Sequence, residues 1–173
     1  EIASCLVGSE MCIRDRTWTF YTEAQIAEIL AAVNGNEYGV PHVSAFPIGQ
    51  ENTGYAKYFS GKSYLAPLTQ DKRLNVPVAN VTFEPGCRNN WHIHHAETGG
   101  GQILICVAGR GRYQEWGGGI RELNPGDVIN IPANVKHWHG AAPDSWFSHL
   151  AIEVPGTGTS NEWCEPVDDS QYR

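Results

Sequence analysis

Two short stretches of the chain carry histidines at a spacing that metal chemistry uses. In residues 86–109, GCRNNWHIHHAETGGGQILICVAG, His92 and His94 stand two positions apart among polar and β-forming residues. Residues i and i+2 of a strand share a face, so both imidazoles can reach one point. Residues 126–140, GDVINIPANVKHWHG, repeat the pattern with His137 and His139. Imidazole is the commonest protein metal ligand, and two strand-borne pairs suit an ion held inside a β-barrel. His95 follows the first pair but falls on the opposite face, which predicts a structural or solvent-exposed role. His42, after Pro41, has no partner by spacing and receives no role.

Strands must position these side chains, and the sequence supplies them. From residue 62 onward, short β runs recur at 63–67, 78–84, 91–95, 102–107, 112–116, 120–123, 127–131, 137–139 and 146–154. Turn residues such as Glu84-Pro85-Gly86, Gly109-Arg110-Gly111 and Asn124-Pro125-Gly126 separate them. Many short strands with a single helix give an all-β fold, a sandwich or a jelly-roll barrel. The helix is expected over 22–34, TEAQIAEILAAVN, where Thr22 and Gln25 form a capping box and Asn34-Gly35 supplies the stop. Its stripe of Ile26, Ile29, Leu30 and Val33 needs a surface, on the barrel or on a partner subunit. Residues 35–61 read as a loop with one short strand around 44–48, and the tail 155–173 as an outer wrap.

A chain of 173 residues fits one domain with a real core. Its net charge of -7, with no basic stripe, argues against a nucleic-acid partner. No run approaches the roughly 20 apolar residues of a membrane-spanning helix, so no membrane partner is expected. Cys5, Cys12, Cys87, Cys106 and Cys164 are odd in number and lack a CxxC spacing, which reads as reduced thiols. Residues 6–16, LVGSEMCIRDR, resemble the translated adapter of a sequencing library. The expected division is a non-native tail over 1–16, a helix and loop extension over 17–61, the barrel over 62–155 and the wrap over 156–173. A missing natural start leaves a signal peptide, and with it the compartment, open.

The two histidine stretches resemble the two motifs of the cupin superfamily. Gly86, His92, His94 and Gly109 match the first motif, and Gln102 stands six residues before Gly109, where most cupins have glutamate. Gly126, Pro132 and His137 match the second, with Asn134 in place of its last glycine, a residue that tolerates a left-handed turn. A closer likeness is to the small manganese cupins that act as hydroxynitrile lyases. These share a His, His, Gln, His ligand set, the KHWHGAAP run of 136–143, a following strand with a histidine, here His149, and a DxQYR-like ending. The same cupin type occurs beside carboxymuconolactone decarboxylase-like domains. The glycine loop at 99–101 departs from the lyases and leaves the pocket shape open.

This resemblance implies a single-domain cupin jelly-roll barrel in which His92, His94, Gln102 and His137 hold a divalent metal. Manganese is the first expectation, with iron, nickel, copper and zinc as alternatives. Four neutral donors leave the full charge on the ion, which favours Lewis-acid lyase chemistry over oxygen activation. His149 and His139 are the candidates to take and return a hydroxyl proton, or else to fill the barrel and orient a ligand. The implied activity is a lyase on a small hydroxyl or carbonyl compound. The alternatives are a uronate lyase or sugar isomerase, an iron or copper oxygenase, and a non-catalytic metal-binding or ligand-binding cupin. Arg88 and Asn90 share strand parity with His92, so Arg88 could face the cavity and hold a carboxylate in the second reading, or else be a rim residue, which is the favoured expectation. Trp91, Trp116, Trp138 and Trp146 are expected in the core and pocket wall. Pairing into a homodimer or larger assembly is expected through the outer strands and the N-terminal extension.

Overall fold

Alternation of side chains sets the architecture. In Gln102–Gly109, the residues Gln102, Leu104, Cys106 and Ala108 are buried and their neighbours only partly so, the period of a strand with one face in a core. The structure, a computed structural model, describes residues 44–172 apart from 70, 72 and 74. The tail at 1–16, the helix expected at 22–34, His42, Cys5 and Cys12 lie outside the described residues. The chain divides by its internal contacts at residues 40 and 41, and all that follows concerns the second unit.

The strands run β1 (Gln50–Glu51), β2 (Phe59–Ser60), β3 (Ser63–Pro67), β4 (Val78–Phe83), β5 (Arg88–Asn89), β6 (His92–His95), β7 (Thr98–Gly99) and β8 (Gln102–Gly109). They continue with β9 (Gly111–Glu115), β10 (Arg121–Leu123), β11 (Val128–Ile131), β12 (Lys136–Ala141), β13 (Phe147–Glu153), β14 (Gly156–Thr157) and β15 (Ser160–Trp163), and a short helix α1 (Asp169–Tyr172) follows. One antiparallel sheet has the order β1-β3-β4-β13-β8-β11, and the other β10-β9-β12-β5-β2, with β6 joining β12 to β15. Phe83, Leu104 and Phe147 of the first sheet meet Tyr113, Leu123 and Ala141 of the second in one buried cluster. Each fully buried large side chain there contributes roughly 1.5–3 kcal/mol. This is the all-β jelly roll that the turn spacing predicts.

Differences lie in the shortest elements. The strand expected around 44–48 forms instead at β1, because Pro47 has no N–H to donate and Gly49 turns the chain at φ 86°. The tail read as a wrap supplies β14 and β15, paired with β7 and β6. β1 and β14, of two residues each, are too short to display alternation, and β15, of four, reads Ser-Asn-Glu-Trp with no apolar alternation to reveal it.

A second apolar cluster lies apart from the main core, where Trp91 and Trp138 meet Val167 and Tyr172 of the C-terminal segment. Arg88 belongs to this outer face: its guanidinium donates to the Val167 carbonyl at 3.0 Å and pairs with Asp169, and the Tyr172 ring lies 4.4 Å from it. The expectation that Arg88 and Asn90 share the face of His92 is therefore corrected. Arg88 and Asn90 donate to the Val167 and Cys164 carbonyls, while Asn89 turns to the cavity, because the chain leaves the strand at Asn90 and Trp91 and resets its parity before β6.

Candidate metal centre

Strands β6 and β12 are hydrogen-bonded neighbours, with His137 directly opposite His92. His94 lies two residues further along β6, on the same face, and all three imidazoles are buried. Their ligand nitrogens lie within 4.8 Å of one another. The turn leading into β12 is pinned to the end of β6. Asn134, left-handed at φ 67°, donates its backbone N–H to the His94 carbonyl at 2.8 Å and its side-chain amide to the Ala96 carbonyl at 2.9 Å. Asparagine thus fills a glycine position, as the motif comparison anticipates.

The hydrogen bonds choose the tautomers. His92 Nδ1 is 3.0 Å from the Asn90 carbonyl and His137 Nδ1 is 2.9 Å from the Val135 carbonyl. A carbonyl only accepts, so each Nδ1 carries the proton and each Nε2 keeps its lone pair. His94 Nδ1 stands 3.2 Å from Glu153 Oε2, and the carboxylate favours the same tautomer. Burial, reinforced by the neighbouring imidazoles, holds His92 well below the usual histidine range, and burial pushes His137 down to about 4. Neutral imidazole is the form a metal needs.

Gln102, the first residue of β8, is also buried beside the histidines. Its Nε2 donates to Glu153 Oε1 at 2.6 Å, whereas its Oε1 has no partner. His94 Nε2 and His137 Nε2 are likewise buried without a partner. Unmet buried acceptors cost about 1–3 kcal/mol each. A divalent cation satisfies all of them at once, so the donor set fits a metal ion.

Beside these atoms opens a cavity of about 270 Å³. Phe59, Leu65, Val81 and Phe83 give it an apolar wall. Trp163 of β15 stacks on the His92 ring at 4.9 Å and on Tyr58 at 4.6 Å. Of the tryptophans expected in the core and pocket wall, Trp91 and Trp138 are buried in the second core cluster, Trp116 is 56% exposed under Lys136, Trp146 packs on Tyr64, and none of the four lines the cavity. His139 and His149 line the cavity from opposite sheets and meet across it, His149 Nε2 to His139 Nδ1 at 3.2 Å. Asn89 accepts the His139 backbone N–H at 2.9 Å, so its amide nitrogen faces the His139 ring, 3.1 Å from Nε2. Burial pushes His149 down to about 4, and burial together with the neighbouring imidazoles holds His139 well below the usual histidine range. His95 lies on the other face, paired with Glu162 at 2.7 Å.

The model of the cupin domain family matches residues 79–150. The chain is 46% identical over 122 residues to an (R)-mandelonitrile lyase of Granulicella tundricola, covering 69% of this chain and 89% of that one. This chain is a cupin. A cupin-like protein of Thermotoga maritima has a crystal structure that superposes with a TM-score of 0.66 at 40% identity, over 76% of this cupin and 96% of that chain. A cupin-2 domain from Rhodospirillum rubrum shares the fold at a TM-score of 0.57 and 15% identity, over 76% and 85% of the two chains.

Three residues of this cupin's cavity escape sequence reasoning: Asn89, Glu153 and Trp163. Asn89 is hidden by the parity reset. Trp163 lies in a segment that reads as tail. Glu153 ends a strand in an ordinary acidic position, and only the register opposite Gln102 reveals it. It also alters the charge argument, because a carboxylate touches two of the four donors that read as wholly neutral.

Proposed function

We propose that this cupin is a metal-dependent hydroxynitrile lyase, which splits a small uncharged cyanohydrin into a carbonyl compound and hydrogen cyanide. One observation carries the reading: imidazoles fixed with Nδ1 toward oxygen acceptors and Nε2 free, beside a cavity that also holds His139 and His149. Likeness to an (R)-mandelonitrile lyase supplies the substrate class. His92, His94, Gln102 and His137 are the residues that would hold the ion, with manganese first and iron, nickel, copper or zinc as alternatives. Such an ion supplies Lewis acidity toward a substrate oxygen.

The residues of the chain do the rest. The apolar wall receives the organic part of the substrate. The His139–His149 pair takes the hydroxyl proton, the bond between the hydroxyl-bearing carbon and the nitrile carbon breaks, and the electron pair leaves with cyanide. Burial makes the His149 imidazolium strongly acidic, so the proton passes promptly to cyanide. Among the described residues no lysine or arginine lines the cavity, and Glu153 does. That favours an uncharged substrate, and the uronate reading loses Arg88 to the outer face. A homodimer or larger assembly belongs to the same proposal, supported by the half-exposed Val128 on edge strand β11.

The test is metal content of the purified protein, followed by cyanide release from mandelonitrile with manganese restored. Wild type is expected to be active, and His149→Ala slower by roughly 100-fold or more. Bound metal with no cyanide release from the wild type sinks the substrate class.

A further inference from the structure

Glu153 is the charged group closest to the ligand set, and nothing in the cupin motifs assigns it a role. Its placement follows from the ladder: Glu153 of β13 is directly opposite Gln102 of β8, so the two side chains share one face. Backbone bonds hold it there, from Glu153 N–H to the Pro77 carbonyl at 3.0 Å and from Val154 N–H to the Gly101 carbonyl at 3.0 Å. Gly101 itself, at φ 91°, brings the start of β8 so near β11 that a Cβ would lie 2.3 Å from the Ile131 carbonyl oxygen. The register at this corner is therefore rigid.

An amide ligand has an ambiguity that a carboxylate ligand lacks. Glutamine can present its oxygen, which binds a cation, or its NH2, which repels one. The ionised carboxylate of Glu153 only accepts, so the Gln102 NH2 turns to it, as the 2.6 Å contact records. Gln102 Oε1 is then the atom left over, and it is buried with no protein partner. Resting on the metal-centre reading above, we propose that Glu153 is a positioning residue: it locks the Gln102 amide with Oε1 offered to the ion.

The decisive readout is manganese affinity, measured by chelator competition in wild type, Glu153→Ala, Gln102→Ala and the double variant. Circular dichroism and thermal unfolding of the metal-free forms verify folding. Glu153→Ala is expected to weaken binding roughly 10–100-fold. In the Gln102→Ala background the same change is expected to cost several-fold less, because only the contact of Glu153 with His94 Nδ1 at 3.2 Å is then left to lose. Glu153→Gln, whose amide oxygen still accepts from Gln102, is expected to lose less than Glu153→Ala. If Glu153→Ala destabilises the fold, Glu153→Gln carries the same cycle. Unchanged affinity in the Glu153 variants, or an equal loss in both backgrounds, overturns the inference while leaving the metal centre intact. A wild type that binds no manganese or other divalent ion overturns the metal centre itself, and this inference with it.

Discussion

At the scale of single residues, burial and hydrogen bonding decide what each imidazole can do. His149 is fully buried, and its pKa falls from 6.5 to about 4. The unfolded chain therefore binds the extra proton first. The stability that neutral His149 contributes is whole above about pH 6.5 and is lost as pH falls through about 4. The linked amount is about 3 kcal/mol. Denaturant titrations across this window are expected to show a steeper acid loss in wild type than in His149→Leu, and parallel curves would refute the assignment. The face shared by His92 and His94 was legible because an i, i+2 pair on a strand has only one geometric meaning. Glu153 and Asn89 were not, since each owes its position to a register or a parity reset that is set by pairing and has no local signature.

At the scale of elements, nine of the ten described strands longer than two residues announce themselves by alternation and by Gly and Pro turns, whereas β15 and the strands of two residues do not. The C-terminal segment is the sharpest instance. Its polar composition reads as a wrap, yet Tyr172 is buried, its hydroxyl donates to the Ala141 carbonyl at 2.6 Å, and Arg88 and Arg112 lie over its ring. Arg112 also donates to the Tyr172 carbonyl at 2.7 Å. Truncating that side chain in Tyr172→Ala removes a buried aromatic from the outer face of β12 and is expected to cost about 3 kcal/mol. Calorimetry should register this as a fall in Tm of roughly 10 °C. A Tm within 1 or 2 °C of wild type, on the order of measurement error, would mean that the segment is not part of the cooperative unit.

At the scale of the molecule, an ion held by the four proposed donors, which come from three strands in two sheets, would cross-link the sheets. Manganese at about 100 times its dissociation constant should add about 2.7 kcal/mol to stability. The expected observation is a Tm that rises with manganese and returns on chelation, and a Tm indifferent to both would contradict the ligand set. The barrel was foreseeable because turn spacing and alternation agree along most of the chain. What was not foreseeable is the closing of the site by residues 160–163. β15 is hydrogen-bonded to β6, and its Trp163 covers the ring of His92. In the order of synthesis, the histidines at 92 and 94 leave the ribosome some seventy residues before that cover, on the order of ten seconds earlier. During that interval the nascent chain carries the imidazole pair without the ring that covers His92 in the folded protein.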